Sequence, residues 1–184
     1  MPAIALTVCA ATYLFVALFV VGARRPGYSH IRQTISELGE FGVPQQRLVA
    51  FGVFLPVGAL LAVVAYLLRP FGQANATLAL CISIGYLVAA VFPCDPGSPL
   101  WGTPRQALHS LGGAIEYVGG ALALWRIGES LGQPFQAAAL IVGGTAIALS
   151  IQAFAPIRGL IQRLAECCLF GGLALSIWQN RGSV

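Results

Sequence analysis

Six long apolar segments dominate this chain, and each is close to the length of a membrane-spanning helix. A helix needs about 20 predominantly apolar residues to cross the hydrocarbon core of a bilayer. The segments are Ala3–Gly22, Leu48–Leu68, Ala76–Phe92, Gln106–Trp125, Pro134–Phe154 and Leu160–Trp178. Of the 184 residues, 58% are apolar and only 9% are charged, which excludes a soluble domain, a disordered chain and a disulfide scaffold. We predict an all-α fold, a single domain of residues 1–184 built as a bundle of six transmembrane helices.

The charged and sulfur-containing residues exclude several kinds of chemistry. All ten basic residues are Arg, so a lysine Schiff base and a lysine nucleophile are excluded. The Arg residues lie in short connections, where membrane topology explains the net charge of +4 better than a nucleic-acid partner does. The five Cys residues form no C-x-x-C motif. The two histidines, His30 and His109, would need a nearby carboxylate to complete a three-ligand zinc site. We therefore predict no metal, no cofactor and no nucleic-acid partner.

The distribution of Arg predicts how the chain crosses the membrane. With six spans, the connections at residues 23–47, 93–105 and 155–163 share one side. They hold Arg24, Arg25, Arg32, Arg47, Arg105, Arg158 and Arg163, whereas the other side holds Arg69, Arg126 and Arg181. Short cytoplasmic loops are enriched in Arg, so we predict that the Arg-rich side is cytoplasmic and that both termini lie outside. The first segment has no basic residue before it, and we interpret it as a retained helix rather than a signal peptide.

The connections between spans carry two further patterns. An aromatic residue and a Pro precede the second, fourth and sixth spans, and Arg47, Arg105 and Arg163 follow at intervals of 58 residues. This pattern indicates either three related helical hairpins or three helix entries that acquired the same residues independently.

In the first connection, Thr34 and Glu37 form a candidate capping box, and Gly39 provides a stop. We predict a short helix there, lying in the membrane interface.

Ionisable residues inside predicted spans are the strongest functional signal. Glu116 lies about 15 Å into the fourth span, near the midplane, and His109 is two turns earlier on nearly the same face. Such residues are costly in a membrane and are functional candidates by default. Glu166 lies in the sixth span, one turn after Arg163. These two residues form either a structural pair or part of a site, and Glu116 could instead be a buried structural partner of Arg163.

The loop before the fourth span supplies a third candidate carboxylate. Asp95, in the run Phe92-Pro93-Cys94-Asp95-Pro96-Gly97, is either a turn former or a site residue. We predict that Asp95, His109 and Glu116, together with Glu166 and Arg163, line one polar cavity that opens toward the Arg-rich side. Ser36 and Glu37 of the first connection are predicted to cover its mouth.

These two connections resemble a family of bacterial and archaeal integral membrane proteins, the domain of unknown function 998. The resemblance is carried by Ile35-Ser36-Glu37-Leu38-Gly39 with Gly42-Val43-Pro44, by the run from Phe92 to Gly97, and by His109 with the glycines after it. It covers nearly the whole chain. It implies a six-span protein of the bacterial cytoplasmic membrane without a known activity. It also favours Ser36, Glu37, Asp95 and His109 as parts of one site.

We expect a small membrane enzyme that acts on a lipid or isoprenoid-type substrate. In this interpretation His109 and Glu116 exchange protons with the substrate, and Asp95 orients His109. Arg32 or Arg105 would hold a phosphate or carboxylate head group. Two alternatives remain. The first is a lipid-binding or sensing protein without chemistry, and the second is a proton-coupled carrier with Glu116 as the relay. The expected partners are membrane lipid or a lipid-like small molecule.

Overall fold

The computed structural model describes residues 2–70 and 72–180, and this part of the chain contains helices and turns but no strand. The all-α prediction is confirmed. Arg181, which entered the prediction of topology, lies outside the described residues. The helices are α1 Pro2–Ala23, α2 Ile35–Leu38, α3 Leu48–Leu68, α4 Gln73–Val91, α5 at residues 104–131, α6 Gln133–Ala148 and α7 Arg158–Gln179.

Four helical segments are long and apolar enough to cross a membrane, as expected of an integral membrane protein. They are Pro2–Ala23, Leu48–Leu68, Gln73–Val91 and Gln152–Gln179, the last of which joins a short 3-10 segment to α7. Helix α6 has 16 residues, about 24 Å, which is short for a hydrocarbon core of about 30 Å. Helix α5 is longer than a span needs.

The predicted fifth span, Pro134–Phe154, is too long. Helix α6 ends at Ala148, and a separate 3-10 segment begins at Gln152. Near this end, the hydroxyls of Thr145 and Ser150 each donate a hydrogen bond to a carbonyl four residues earlier. Such bonds compete with the backbone ladder of the helix.

The six longer helices pack as a closed ring around a common apolar core. Each packs against the next in chain order, and α7 closes the ring by packing on α1. Helix α4 also contacts α7 across the ring. Fully buried leucines from five helices fill the centre: Leu14, Leu61, Leu78, Leu124, Leu169 and Leu173. The ring brings α4, α5 and α7, which carry most of the buried polar side chains, next to one another.

Helices α4 and α5 approach each other closely because α5 carries glycines on the facing side. A Cβ at Gly112 would lie 2.6 Å from Val88 of α4, and a Cβ at Gly119 would lie 2.7 Å from the sulfur of Cys81. Small residues allow membrane helices to pack in this way. Between these glycines, residues Ile115–Gly119 are π-helical. Single π-helical turns of this kind frequently occur at functional sites.

The predicted capping box of the first connection is confirmed. The Thr34 hydroxyl accepts a hydrogen bond from the Glu37 N–H, and the Glu37 carboxylate accepts one from the Thr34 N–H at 2.6 Å. Helix α2 ends at Leu38, with Gly39 as its C-cap. The helix is only four residues long, so Ile31, which has helical spacing from Ile35, lies outside it.

Candidate functional site

A cavity of about 420 Å³ lies between α4, α5, α6 and α7, beneath the first connection and the loop that precedes α5. Its apolar lining comes mainly from small residues and from the loop residues Pro99 and Leu100. Its polar lining is Thr34, Ser36, Ser98, Gln106, His109, Ser110, Glu116, Tyr117, Ser150, Arg158 and Gln162. Two of the three residues predicted to be catalytic, His109 and Glu116, therefore share one cavity.

Glu116 is buried in the wall of this cavity with an incomplete set of hydrogen bonds. It lies in the π-helical turn of α5, about 18 Å from the start of that helix. Its side chain is 7% exposed, and its Oε1 has no hydrogen-bond partner among the described residues. It packs on Gly85 of α4, where a Cβ would lie 2.7 Å from both Cβ and Cδ of Glu116. The glycine gives the carboxyl its space, but it supplies no donor.

His109 lies on α5 with a defined ring orientation. Its Nδ1 is 2.8 Å from the carbonyl oxygen of Phe92, at the end of α4. A carbonyl only accepts hydrogen bonds, so the neutral ring carries its proton on Nδ1 and leaves the Nε2 lone pair free. The prediction that Asp95 orients His109 is wrong, because the Phe92 carbonyl takes that position.

Asp95 is held within its own loop and does not line the cavity. Its carboxylate accepts hydrogen bonds from the Thr103 N–H at 2.8 Å and the Thr103 hydroxyl at 2.9 Å, and it pairs with Arg105. The Thr103 N–H, with help from the Thr103 hydroxyl and Arg105, holds the pKa of this carboxyl below its usual value. Its own N–H donates to Gln106, which does line the cavity. Asp95 therefore shapes the loop.

Glu166, on α7, is the centre of a complete hydrogen-bond cluster. Its two carboxylate oxygens accept bonds from the hydroxyls of Tyr117 and Tyr86, each at 2.8 Å. The Tyr117 hydroxyl also accepts a bond from the Gln162 side chain at 2.9 Å. The Gln162 oxygen in turn accepts the Ile35 N–H at 2.6 Å. The cluster connects α4, α5 and α7 to the start of α2.

Arg163 does not pair with either glutamate. Its guanidinium donates to the backbone carbonyls of His30, Gln33 and Gly159 and to the Tyr28 hydroxyl. The predicted Arg163–Glu166 and Arg163–Glu116 pairs are both absent from the described residues, because the first connection supplies enough carbonyl oxygens to occupy the guanidinium. Arg163 holds the first connection onto α7.

The two Arg residues proposed to hold a head group lie away from the cavity. Arg32 is exposed on the first connection. Arg105 pairs with Asp95, and its guanidinium lies 3.7 Å from the ring centre of Phe41. Neither residue lines the cavity. The predicted role of these two residues at the head group is therefore not supported by their positions.

The first connection covers part of the cavity, but only one of the two predicted residues faces it. Ser36 lines the cavity, as does its neighbour Thr34. Glu37 is buried and its carboxylate caps α2, so it acts in the fold of the connection.

Several lining residues were not identified from sequence, and Arg158 is the most prominent of them. Its guanidinium donates to the carbonyls of Gly97 at 3.0 Å and Ser98 at 2.9 Å, which ties the loop before α5 to the start of α7. Gln162 and Tyr117 were also missed. They are polar residues within long apolar segments, and that signal alone could have selected them.

The remaining candidates show no metal or nucleophile site. Within residues 2–70 and 72–180, no three His, Cys, Asp or Glu side chains form a group suited to a metal. The Nδ1 of His30 is 3.0 Å from Arg163, and burial lowers the pKa of His30. Burial raises the pKa of the Cys94 thiol to about 12, which leaves it protonated and poorly nucleophilic near neutral pH.

Comparison with known proteins identifies a family but no relative of known activity. A family model described as "Protein of unknown function (DUF998)" matches residues 8–179, nearly the whole chain. Neither the curated proteins nor the solved structures gave a match. The match includes both connections and the cavity residues described above. The chain therefore belongs to the DUF998 family of proteins of unknown function.

Proposed function

We propose that this protein is a small membrane enzyme that transfers protons to and from a lipid or isoprenoid-type substrate in the cavity. One observation carries the proposal: Glu116 and His109 line the same cavity, and each has an oxygen or nitrogen without a partner in the described residues. A buried carboxyl with an unused oxygen is costly unless a proton, a ligand or a reaction uses it. The paired glutamate on α7 shows that this fold can satisfy a carboxylate fully where no substrate is needed.

The geometry supports a separate role for each group in this proposal. The Nε2 lone pair of His109 accepts a proton from the substrate, because Nδ1 is committed to the Phe92 carbonyl. Glu116 donates a proton back to the substrate from its position deeper in the membrane, so the substrate gains one proton for the one it loses. The largely apolar lining favours the hydrocarbon part of a lipid-like molecule, and the polar groups near the loop before α5 favour its head group.

The test is a comparison of reaction products. The full chain and its Glu116→Gln variant are reconstituted separately in vesicles that contain a total bacterial lipid extract, and the lipids are analysed by mass spectrometry over time. The amide keeps the shape of the side chain but cannot transfer a proton. We expect new lipid species with the natural chain and a rate lower by about 10²–10⁴-fold with the variant. Circular dichroism confirms that both proteins are folded.

A second variant separates the chemistry from general disturbance of the cavity. His109→Gln should also slow product formation, whereas Ser130→Ala, at an exposed serine that does not line the cavity, should not. Equal product formation by the natural chain and both site variants would overturn the proposal. Lipid that co-purifies with the natural chain but is never converted would instead support the non-enzymatic binding protein.

We propose in addition that α5 and α6 also cross the membrane, which gives six spans, and that the Arg-rich connections face the cytoplasm. The support is the ring packing, in which α5 and α6 lie between the candidate spans α4 and α7. The three related helical hairpins stay a prediction. The repeated Arg residues do not support them, because Arg105 pairs with Asp95 whereas Arg163 donates to the His30 carbonyl. A reporter fused to the C-terminus should read as external, in the cytoplasmic membrane of a bacterial host. A cytoplasmic signal would overturn this orientation.

A further inference from the structure

A second concave surface lies on the outside of the ring, between α1 and the first turns of α3. This groove has a volume of about 640 Å³ and is separate from the cavity at Glu116. Both helices that form it are candidate membrane spans, so its surroundings are the lipid tails of the bilayer. Val21 and Val53 at its base are buried, whereas Val16 is 57% exposed on its wall.

The groove is long enough for an extended hydrocarbon chain on the α1 side, and α3 lines it at residues 48, 52 and 53. Its residues on α1 run from Val8 to Arg24, which corresponds to about 24 Å along the helix and exceeds one leaflet of about 15 Å. Ala17 and Gly52, one with a small side chain and one with none, line the middle of the groove. The Tyr13 hydroxyl, which also lines it, donates to the Gly52 carbonyl, so this polar group is already satisfied.

Arg24 lies at the interfacial end of the groove, and its environment differs from that of its neighbour. The guanidinium of Arg25 pairs with Glu40 and donates to the Glu37 carbonyl, so it is committed to the first connection. Arg24 is exposed, lines the groove and makes no side-chain hydrogen bond within the described residues. An apolar channel that ends at an unpaired cation is complementary to a molecule with an acyl chain and an anionic head group.

We propose that this groove binds one anionic phospholipid, with an acyl chain along α1 and the phosphate at Arg24. The inference is independent of the proposed enzyme activity and requires only that α1 and α3 cross the membrane. Charge favours this occupant over a zwitterionic lipid, because Arg24 has no acidic partner within residues 2–70 and 72–180. The charge of Arg24 also argues against a second copy of this chain as the occupant. The same face of that copy would bring a second Arg24 to the interface, where the two like charges repel.

Native mass spectrometry of the full chain in detergent tests the proposal. The probes are dioleoyl phosphatidylglycerol and dioleoyl phosphatidylcholine at equal concentrations, and the measured quantity is the ratio of the two bound forms. The natural chain should prefer the anionic lipid. Arg24→Gln should lower the affinity for phosphatidylglycerol on the order of fivefold and leave that for phosphatidylcholine nearly unchanged. Arg32→Gln removes one charge from the same side of the protein and should keep the preference.

A steric variant tests the acyl part of the site separately. Ala17→Phe fills the middle of the groove and should reduce the binding of both lipids. If that variant does not fold, Val16→Trp narrows the groove from its exposed wall. Unchanged lipid preference in Arg24→Gln, unchanged binding in a folded filled variant, or a dimer of the natural chain that excludes lipid would each overturn the proposal.

Discussion

Two glutamates lie inside the helix ring, and they differ in whether both carboxylate oxygens have a hydrogen-bond partner. Glu166 on α7 is 1% exposed, and both its oxygens accept tyrosine hydroxyls. Glu116 on α5 is 7% exposed, lines the cavity and has an oxygen without a partner. A complete cluster stabilises the fold, whereas an incomplete one keeps a group available to a ligand or a proton.

The difference originates in the helices that face each residue. Tyr86 and Tyr117 place two hydroxyls around Glu166 from α4 and α5. Glu116 faces α4 at Gly85, which has no side chain to offer. Four substitutions test whether this contrast between a structural and an available carboxylate is real.

The largest effect on stability is expected for Glu166→Ala. The substitution leaves the hydroxyls of Tyr86 and Tyr117 without their acceptor and creates a void where a fully buried side chain was. We expect the free energy of unfolding to fall by about 2–4 kcal/mol. Titration with a denaturing detergent, followed by circular dichroism, measures this change. Glu129→Ala, at an exposed ion pair, serves as the control and should change stability by less than about 0.5 kcal/mol.

The next largest effect on stability is expected for the two tyrosines, and the loss should differ between them. Tyr117→Phe removes a hydroxyl that donates to Glu166 and accepts from Gln162, whereas Tyr86→Phe removes only a donor to Glu166. Hydrogen bonds between membrane helices contribute about 0.6 kcal/mol on average. We expect Tyr117→Phe to cost about 1–2 kcal/mol in the same titration, roughly twice the cost of Tyr86→Phe. Equal costs would mean that the bond to Gln162 contributes nothing.

Glu116→Gln should change stability least among the changes within the ring. The amide cannot ionise, so it removes the cost of burying a charge, and it breaks no hydrogen bond of Oε1. We expect the free energy of unfolding to stay within about 1 kcal/mol of the natural value, or to rise. A loss comparable to that of Glu166→Ala would contradict the contrast and would make Glu116 a structural residue.

Asp95 extends the comparison to a carboxylate with a full set of partners outside the spans. Its pKa in the folded protein lies below that in the unfolded chain, so its stabilising contribution is present above about pH 4 and is lost as the pH falls through the folded-state pKa. The unfolding midpoint of the natural chain should therefore decrease as the pH falls from about 4 toward about 2. Asp95→Asn should show a smaller decrease over that range, and an identical decrease would exclude Asp95 as its source.

Local sequence patterns were sufficient for several features of this protein. The capping box of Thr34 and Glu37 and the glycine stop after α2 follow from residues within one turn of each other, and the structure confirms them. The positions of α1, α3, α4 and α7 followed from apolar length alone. The placement of His109 and Glu116 on one cavity wall followed from helical periodicity within α5.

The partners of each charged residue required the tertiary structure. Sequence proximity favoured an Arg163–Glu166 pair and an Asp95–His109 contact, but a guanidinium or an imidazole bonds to whatever acceptor the fold brings nearest. Backbone carbonyls of the first connection occupy Arg163, and the end of α4 brings the Phe92 carbonyl to His109. Backbone acceptors exist at every residue, so they carry no sequence signal.

The sequence alone determined that this chain is helical and apolar, and that its ionisable residues lie at a few costly positions, because composition and periodicity act over one or two helical turns. Only the tertiary structure decided which of those residues has a complete set of hydrogen bonds and which has an atom available to a ligand or a proton. Glu166 and Glu116 look alike in the sequence, each in an apolar run beside polar neighbours. Their difference arises because two tyrosines from other helices reach the first, while a glycine faces the second.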